Sequence, residues 1–382
     1  MPKSENKSFA AQDVASVRLS GAHGDGVHDD VEAIEAALGS GAGLVYFPQG
    51  KYRITRSIRV DLLQTGRIRV QGAGATIINS GSGPAFDVIG HHRGTAGPET
   101  VTDETYQREV MPLFEGLEIV GDHPEADGIR LEQTIMAAFQ ALLIRRCRYG
   151  IHLLNKNRNV IIADCHLFDN RRFGIYLENA DLHQINICGC HIQANAAGGI
   201  KAEAGPGGIR NIQISGNDIE YNHQLGGSDI HFACGPVGIR EGAIVANTIQ
   251  ATEGCGGCNI FIEGYAPQSP LKGGLLSITG NHISNQDVNI KITDSRGVAI
   301  TGNTFLRGVD HNILITDSEQ ICLGPNVFDD NPDYGGDTLG GIYVENSRNC
   351  TIQGVVMSNP RGGEPARGGS IEAVNCSGLN IT

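Results

Sequence analysis

Acidic, basic and aromatic residues recur at regular distances between positions 176 and 291 of this sequence. They are Tyr176, Glu178, Lys201, Glu203, Asp229, His231, Phe261, Glu263 and Lys291. Carboxylates and imidazoles exchange protons, lysines attract anions, and aromatic rings offer flat apolar surfaces. The mixture therefore suits proton-transfer chemistry on a polar substrate, provided that the fold brings these residues to one surface.

Most of these residues lie in a repeated segment that begins with Gly, Asn, Asp or Ser followed by Ile. Ten copies occur, namely "GIRLE" (128), "GIHLL" (150), "GIYLE" (174), "GIKAE" (199), "DIHFA" (229), "NIFIE" (259), "NIKIT" (289), "NILIT" (312), "GIYVE" (341) and "SIEAV" (370). The isoleucines, from Ile129 to Ile371, are 22 to 30 residues apart. Alternation with period two predicts a β-strand in which the isoleucine and the residue two positions later face inward.

A second repeated strand advances along the chain together with the first. It aligns one column of residues, Cys165, Cys190, Asn217, Asn247, Asn281, Asn303 and Asn326. We expect each Asn to adopt a left-handed conformation at a bend and to hydrogen-bond to the Asn of the next coil. Two registers with variable lengths between them predict an all-β fold, a single-stranded right-handed parallel β-helix in which extra residues form corner loops.

The segment "GAHGDGVHDDVEAIEAALGSGAGLVYFPQGKYRI" (21) precedes the repeats and predicts a short N-terminal capping helix. Its apolar face contains Val31, Ile34, Ala37 and Leu38, and we expect Asp29 and Glu32 to form a capping box. A solenoid needs such a cap because its first coil otherwise exposes an apolar edge. We therefore assign the cluster of glycines and carboxylates to the cap rather than to a phosphate or metal site. The predicted units are the entry strand with its capping helix (1–60) and one continuous run of coils (61–382).

The stretch "GAHGDGVHDDVEAIEAAL", followed by "GLVYFPQGKYRI", resembles the N-terminal signature of the pectate-lyase-like superfamily. This resemblance implies a parallel β-helix for the whole chain. The superfamily contains polysaccharide lyases, glycoside hydrolases, uronate epimerases, inulin fructotransferases and phage tailspikes, so the resemblance implies a glycan as substrate or ligand. It also implies a site on the outside of the strand after the long corner loops, which is here the repeated Ile strand. The epimerase hallmark "YGFDPHE" is absent from this sequence.

Two outward columns of this strand define the candidate site in an exterior groove. We assign four residues as catalytic, Glu178, Glu203, Asp229 and His231. We assign seven as substrate-binding, Tyr176, Lys201, Phe261, Glu263, Lys291, His152 and Arg130. Stacked coils lie about 4.8 Å apart, so Glu178 and Glu203 are expected at the separation of a retaining glycosidase pair.

Two reactions and one non-catalytic role fit this set of residues. Hydrolysis, or transfer within the sugar chain as in inulin fructotransferases, would use the carboxylates as acid and partner; the net charge of −13 favours it with a weakly charged glycan. β-Elimination from a uronate would use His231 or Tyr176 as base, because carboxylates beside Lys201 are expected to keep the pKa of that lysine high. The tailspike resemblance leaves a glycan-binding rod, often trimeric, as the third interpretation. Alternating Glu and Lys residues can also simply form ion pairs on a solvated face.

Cofactors and partners follow from the same observations. We predict no cofactor, with calcium bound by Glu178, Glu203 and Asp229 as an alternative. The net charge argues against nucleic acid and anionic membranes as partners, which leaves a poly- or oligosaccharide.

Residues 372–382 stop inside a repeat strand, so a partner subunit or a further segment is expected to cover an open edge. Residues 91–112 interrupt the repeats as a lid, an oligomer contact or a disordered loop. No signal peptide is apparent, so the chain is cytoplasmic as it stands or secreted with its signal removed.

Overall fold

The computed structural model describes residues 13–94, 97–252, 254–266, 270–329, 331–334, 340–357 and 371–382. The described strands pair in parallel from coil to coil and join one continuous sheet. This is the predicted right-handed parallel β-helix. Among the described residues, no helix has the length and apolar character needed to cross a membrane.

The strands are short, and most coils contain three of them. The first eight are β1 (Val14–Ser16), β2 (Asp25–Asp29), β3 (Leu44–Tyr46), β4 (Gly50–Ile54), β5 (Ile58–Asp61), β6 (Arg69–Asn79), β7 (Gly83–Ile89) and β8 (Leu113–Gly121). The next twelve are β9 (Ala126–Ile135), β10 (Ala138–Gln140), β11 (Leu143–Arg145), β12 (Tyr149–Ala163), β13 (His166–Phe168), β14 (Phe173–Cys188), β15 (His191–Gln193), β16 (Gly198–Ser215), β17 (Asp218–Glu220), β18 (Ser228–Ala233), β19 (Ile239–Val245) and β20 (Thr248–Gln250).

The remaining strands complete the solenoid towards the C-terminal end. They are β21 (Cys258–Glu263), β22 (Gly274–Thr279), β23 (His282–Thr293), β24 (Arg296–Thr301), β25 (Thr304–Thr316), β26 (Glu319–Leu323), β27 (Val327–Asp329), β28 (Ile342–Glu345), β29 (Thr351–Ile352), β30 (Val356–Met357), β31 (Ile371–Val374) and β32 (Asn380–Ile381). The described helices are α1 (Val31–Leu38), α2 (Leu62–Thr65) and α3 (Asp103–Arg108), with 3₁₀ turns at Pro98–Thr100 and Pro332–Tyr334.

The predicted isoleucine column is present in the interior of the solenoid. Neighbouring coils pair Ile129, Ile151, Ile175, Ile200, Ile230, Ile260, Ile290, Ile313, Ile342 and Ile371 in order. All of these side chains except the last are buried. Each coil can thus vary in length at its corners while its strand stays in register, because the side-chain period of two fixes which face enters the core.

The predicted asparagine column forms a buried ladder. Each Nδ2 donates to the next Oδ1, from Asn217 to Asn247, Asn281, Asn303 and Asn326, at 2.9 to 3.0 Å. The left-handed residue is not the Asn but the one before it, for example Gly216 (φ 64°) and Ala246 (φ 56°). The expectation for backbone conformation was wrong by one position, because the preceding residue makes the turn and directs the Asn inward.

A second buried ladder lies at the corner before the repeated Ile strands, and the sequence analysis did not predict it. Asn170 donates to Asn195, Asn195 to Asn222, and Asn222 to Oδ1 of Asp229, each at 2.8 Å. Further along, Asn259 donates to Asn289 at 2.8 Å and Asn289 to Asn312 at 2.7 Å. Each amide satisfies a buried corner that would otherwise lack partners.

Asp229 interrupts this ladder, and its predicted place beside the outward carboxylates was wrong. Its side chain is 1% exposed, and its Oδ2 has no hydrogen-bond partner among the described residues. Oδ1 of Asn259, at the corresponding corner of the next coil, also has none. Burial raises the pKa of Asp229 well above its usual value. A proton on Oδ2 would donate to Asn259 Oδ1 and complete the ladder, as Nδ2 does in the other coils.

We expect Asp229→Asn to raise the melting temperature, by a margin that grows with pH. The native pKa exceeds the unfolded one, so this carboxyl stabilises the native state fully below about pH 4 and loses that contribution as pH rises towards the native pKa. Asparagine supplies a permanent donor and has no such loss. Thermal melts at pH 5 and pH 8 test this, with the exposed Asp169→Asn as control. An Asp229→Asn protein that is less stable at both pH values would contradict the ladder model.

The N-terminal cap has the predicted helix but not the predicted capping box. Helix α1 buries Val31, Ile34, Ala37 and Leu38, as expected. Its N-cap residue is Asp30, whose side chain makes no cap hydrogen bond and instead accepts from the backbone N–H groups of His23 (2.6 Å) and Gly24 (3.0 Å). Asp30 is buried, and it ties the preceding loop to the helix. The box was misplaced because the helix starts one residue later than expected.

The described part of the 91–112 interruption contains a 3₁₀ turn and α3. Arg158 donates to the backbone O of Gly97 (3.2 Å) and to the hydroxyl of Thr100 (3.1 Å), so the segment packs on the coil exterior. At the other end, Val374 and Ile381 of the last described strands are 39% and 49% exposed. The predicted partner subunit at this edge stays a prediction.

Candidate functional site

The two outward columns lie side by side on one face of the solenoid, formed by β9, β12, β14, β16, β18, β21 and β23. We call this surface the site face. Strand register aligns Arg130, His152, Tyr176, Lys201, His231, Phe261 and Lys291 in consecutive coils. The second column brings Glu178 beside Glu203, with side chains 40% and 39% exposed. Loops after β18 and β21 leave the face at its edge, and residues 267–269 of the second loop lie outside the described residues.

Aromatic rings pack together at one end of the site face. The rings of His152 and Tyr176 stack with centroids 5.3 Å apart, and those of Tyr149 and Phe173 stack at 6.0 Å. Tyr176 also lies 5.0 Å from both Tyr149 and Phe173. Because the rings pack on one another, a ligand meets mainly their edges and hydroxyl groups. The aromatic packing therefore restricts stacking of sugars on the face of Tyr176, and the His231 ring stacks on Phe261 with centroids 4.5 Å apart.

A chain of polar contacts crosses the centre of the face. The Tyr176 hydroxyl donates to Glu203 Oε2 at 2.8 Å, and Glu203 Oε1 lies 3.7 Å from Lys201 Nζ. Lys201 Nζ contacts His231 Nδ1 at 2.9 Å, and His231 Nε2 contacts Glu263 Oε2 at 2.8 Å. Proton donors and acceptors from four neighbouring coils are thus connected through the two columns.

His231 is an uncharged imidazole at neutral pH. Burial, and then the nearby Lys201 charge, lower its pKa to about 4. The contacts assign its tautomer: Nε2 carries the proton and donates a hydrogen bond to the Glu263 carboxylate, which can only accept. The Nδ1 lone pair then accepts from Lys201. His231 has the protonation state of a general base, with its basic nitrogen covered by a cation.

Lys201 departs from the expectation for its charge. Neighbouring carboxylates were expected to keep its pKa high, but burial outweighs them and lowers it. The side chain is only 13% exposed and has one carboxylate at 3.7 Å. Desolvation penalises the ammonium more than this one contact stabilises it. A second anion at this position would therefore be bound favourably.

The two glutamates of the site face bind different partners: Glu203 pairs with Tyr176, and Glu178 pairs with His152. Burial, and then the hydrogen bond to Glu203, raise the pKa of Tyr176 well above its usual value, so the phenol keeps its proton. Glu178 instead contacts His152 Nε2 at 2.8 Å. The glutamates directly follow Leu177 and Ala202, which pair on neighbouring coils, and each glutamate has its own partner. Tyr176 is better suited to donate a proton than to act as the base proposed from the sequence.

Two other predicted residues have partners that change their roles. Asp229 is inside the solenoid, so the three carboxylates proposed for calcium are not brought together. Arg130 donates to both carboxylate oxygens of Asp87, at 2.9 and 2.8 Å, which neutralises its charge. Lys291 Nζ lies 4.9 Å from the Phe261 ring centre, at the other end of the column.

Sequence reasoning missed Asp87, Tyr149 and Phe173. Tyr149 and Phe173 each stand two residues before a repeated isoleucine, in "YGI" and "FGI". That spacing was a usable signal, because two residues at the same distance from the repeated isoleucine align in successive coils. Asp87 lies in β7, a coil earlier than the first recognised repeat, and its sequence "PAFDV" has Phe where the later coils have Ile.

A cavity of about 310 Å³ lies around the corner, on the strands that follow the site face. Arg240, Lys272, Gly274 and Arg296 line it, and Gly274 pairs with Arg240 in the sheet. An added Cβ at Gly274 would come within 2.3 Å of the Arg296 carbonyl oxygen. Arg296 also lies 3.5 Å from Glu319, which partly offsets the positive charge.

Three family models match parts of this chain. "Right handed beta helix region" covers residues 106–244, "Rhamnogalacturonase A/epimerase, pectate lyase-like" covers 14–91, and "Periplasmic copper-binding protein (NosD)" covers 271–363. In the order given, the three models match the middle coils, the cap with the first coils, and the C-terminal coils.

Two curated proteins are similar in sequence over part of their length. A pre-neck appendage protein of Bacillus phage B103 is 27% identical over 231 residues, which are 53% of this chain and 25% of the phage protein. A mannuronan C5-epimerase of Azotobacter vinelandii is 37% identical over 94 residues, which are 22% of this chain and 9% of the epimerase. The chain thus spans a quarter or less of these relatives.

Solved structures are similar along the whole solenoid. The A-module of another Azotobacter vinelandii mannuronan C-5 epimerase superposes with a TM-score of 0.61 at 15% identity, covering 97% of both chains. The Dettilon tailspike protein superposes with a TM-score of 0.64 at 15% identity, covering 95% of this chain and 68% of the tailspike. Together with the family models, these similarities show that the chain has the right-handed parallel β-helix fold, with a cap that is similar to those of pectate-lyase-like proteins.

Proposed function

We propose that the site face binds a uronate-containing poly- or oligosaccharide and removes the proton next to the uronate carboxylate. The observation that carries the proposal is the 2.9 Å contact between Lys201 Nζ and His231 Nδ1, in which a cation covers the lone pair of an uncharged imidazole. A substrate carboxylate would attract Lys201 and expose that lone pair. Substrate binding would thereby create the base where it is needed.

The reaction then follows from the neighbouring groups. His231 Nδ1 takes the C5 proton, and the electron pair enters the adjacent carboxylate, whose charge Lys201 balances. Glu263 accepts from Nε2 and stabilises the imidazolium. The C4–oxygen bond breaks, a C4–C5 double bond forms, and Tyr176 protonates the leaving oxygen. In the free protein, Glu203 accepts the Tyr176 hydrogen bond and holds the phenol in position. The phenol gives up this bond when its proton moves to the leaving oxygen, and the phenolate regains a proton from water.

Similar proteins support a carbohydrate substrate. Removal of the C5 proton can then lead either to elimination or to epimerisation. The curated relative and one similar structure are mannuronan C5-epimerases by name. Epimerisation at C5 removes the same proton and returns one on the opposite side of the ring, without breaking the C4–oxygen bond. We favour elimination because the epimerase hallmark is absent and Tyr176 offers a proton for a leaving group.

Cleavage by carboxylates is the second candidate. The observation that favours it is the adjacency of Glu178 and Glu203 on neighbouring coils, both about two-fifths exposed. In that reaction one carboxyl group protonates the glycosidic oxygen and the other activates water or attacks the sugar. A non-catalytic rod is the third candidate, supported by the phage appendage and tailspike similarities.

A glycan panel with product analysis distinguishes these functions. Polyuronates, such as alginate and polygalacturonate, and neutral glycans would be incubated with the protein and the products weighed. A product that absorbs ultraviolet light through a new C4–C5 double bond supports elimination, and C5 deuterium uptake without cleavage supports epimerisation. Addition of water supports hydrolysis. Binding without any product would contradict an enzymatic site and support the rod.

The pH dependence of kcat/KM should report the unprotonated base. Because the His231 pKa is about 4, activity should be flat around neutral pH and should fall about tenfold per pH unit below about 4. An ordinary histidine would place this fall near pH 6.5. Return of acid-treated enzyme to neutral pH, with full recovery, separates titration from unfolding. A fall centred near pH 6.5 would contradict the buried, uncharged base.

A further inference from the structure

We propose that His23, Asp25 and His28 form a binding site for a divalent transition-metal ion at the N-terminal cap. Each residue offers one ligand atom, and all three atoms lie within 4.8 Å of one another. The set has two imidazoles and one carboxylate, which suits ions such as Zn²⁺, Co²⁺ or Ni²⁺. The sequence analysis had assigned this cluster to the cap alone.

The segment that carries these residues, from His23 into β2, is held from both sides. Gly24 (φ 55°) and Gly26 (φ 80°) take left-handed conformations that fold the chain back on itself. The buried Asp30 binds the backbone N–H groups of His23 and Gly24. Asp25 Oδ1 accepts from the backbone N–H of Val27 (2.9 Å) and of His28 (3.0 Å), which leaves Oδ2 directed at the His28 ring.

The ligand atoms already lie close together, and the two stacked rings only have to turn about their side-chain bonds to direct both lone pairs at one ion. Asp25 Oδ2 and His28 Nδ1 are 2.6 Å apart, and the His23 and His28 rings stack with centroids 4.0 Å apart. Metal–ligand bonds of about 2.0 to 2.2 Å place neighbouring ligand atoms about 3 Å apart. Binding therefore opens the contact between Asp25 and His28 by only a few tenths of an ångström. The three residues are exposed, so water can complete the coordination.

The neighbouring cation Arg18 leaves the ligand set free. Arg18 donates to the backbone carbonyl groups of His23, Gly24 and Gln49 rather than to Asp25. Its guanidinium fixes the carbonyl side of the loop. The ligand side faces solvent, because His28 and Asp25 are 58% and 42% exposed. The site is thus preorganised in its backbone and open to an ion from solution.

Cobalt titration of the untagged full chain tests this inference. We expect one equivalent of Co²⁺ to bind with a visible absorption change, and His28→Ala or Asp25→Asn to weaken that binding at least tenfold. The matched control is His191→Ala, since His191 also stacks on a histidine (His166, 4.9 Å) and lies 3.4 Å from Asp218. That control should bind Co²⁺ like the unmodified chain.

Thermal melts give a second readout that does not depend on catalysis. Metal should raise the melting temperature of the unmodified chain and of His191→Ala, but not of His28→Ala, because an ion that binds only the native loop stabilises it. Failure of Co²⁺ or Zn²⁺ to bind saturably would overturn the proposal. So would binding that His28→Ala leaves unchanged, or binding that His191→Ala abolishes.

Discussion

Replacement of His231 by alanine is expected to lower turnover on a uronate polymer by roughly 10²- to 10⁴-fold, the usual range for loss of a general base. The loss should appear in kcat more than in KM, because Lys201 remains to hold the substrate carboxylate. The fold should be retained, since His231 points away from the core and its isoleucine neighbours stay in place. Initial rates on the best polyuronate of the panel measure the effect.

The Glu203→Gln variant shows which reaction the site performs. Under elimination, Glu203 positions Tyr176 and its replacement should cost much less than that of His231. Under carboxylate catalysis the order reverses, because Glu203 would itself transfer a proton. His191→Ala, on another face of the solenoid, controls for the loss of an imidazole alone. Full activity of both His231→Ala and Glu203→Gln would exclude this face as the catalytic site.

Tyr176→Phe is expected to lower kcat by roughly 10²-fold or more with little change in KM. Phenylalanine keeps the ring packed against His152 and removes only the hydroxyl group that donates to Glu203. The leaving oxygen then departs without a proton. A substrate with a low-pKa leaving group should restore much of the rate, because such an oxygen needs no proton donor.

Tyr149→Phe is the matched control for this variant. Its ring belongs to the same aromatic cluster and stacks on Phe173 at 6.0 Å. We expect nearly unchanged kcat and a normal dependence on the leaving group. If Tyr149→Phe lost the rate and Tyr176→Phe kept it, the proton donor would be Tyr149 and the assignment to Tyr176 would be wrong.

The sequence predicted the coil register well because that register depends on simple alternation. An isoleucine that returns every 22 to 30 residues at the start of a strand can only point into the solenoid. The outward columns follow from it by counting, so Tyr176, Lys201 and His231 were aligned correctly. Loop length did not disturb the prediction, since the extra residues leave the coil at its corners.

The corners themselves were harder to predict. Alternation holds inside a strand, but at a corner the chain turns, and the side chain of Asp229 enters the interior instead of the outward face. The residue at that position is Gly or Asn in most coils, which indicates a confined interior position. The low pKa of His231 was also not predicted from the sequence, because it depends first on burial, which cannot be read from residue types.

The break in the second ladder has a mechanical consequence for the site. In a solenoid each coil is coupled only to its neighbours, so the weakest junction decides where motion concentrates. Asp229 Oδ2 and Asn259 Oδ1, on neighbouring coils, have no hydrogen-bond partner in the described part of the chain, and His231 lies two residues from Asp229 in the same strand. A proton on Asp229 would add a side-chain hydrogen bond to the backbone pairing of β18 and β21, and its loss would weaken that junction. The protonation of one buried carboxyl group is thus coupled to the junction between the coil of His231 and the coil of Glu263, which accepts the hydrogen bond from the base.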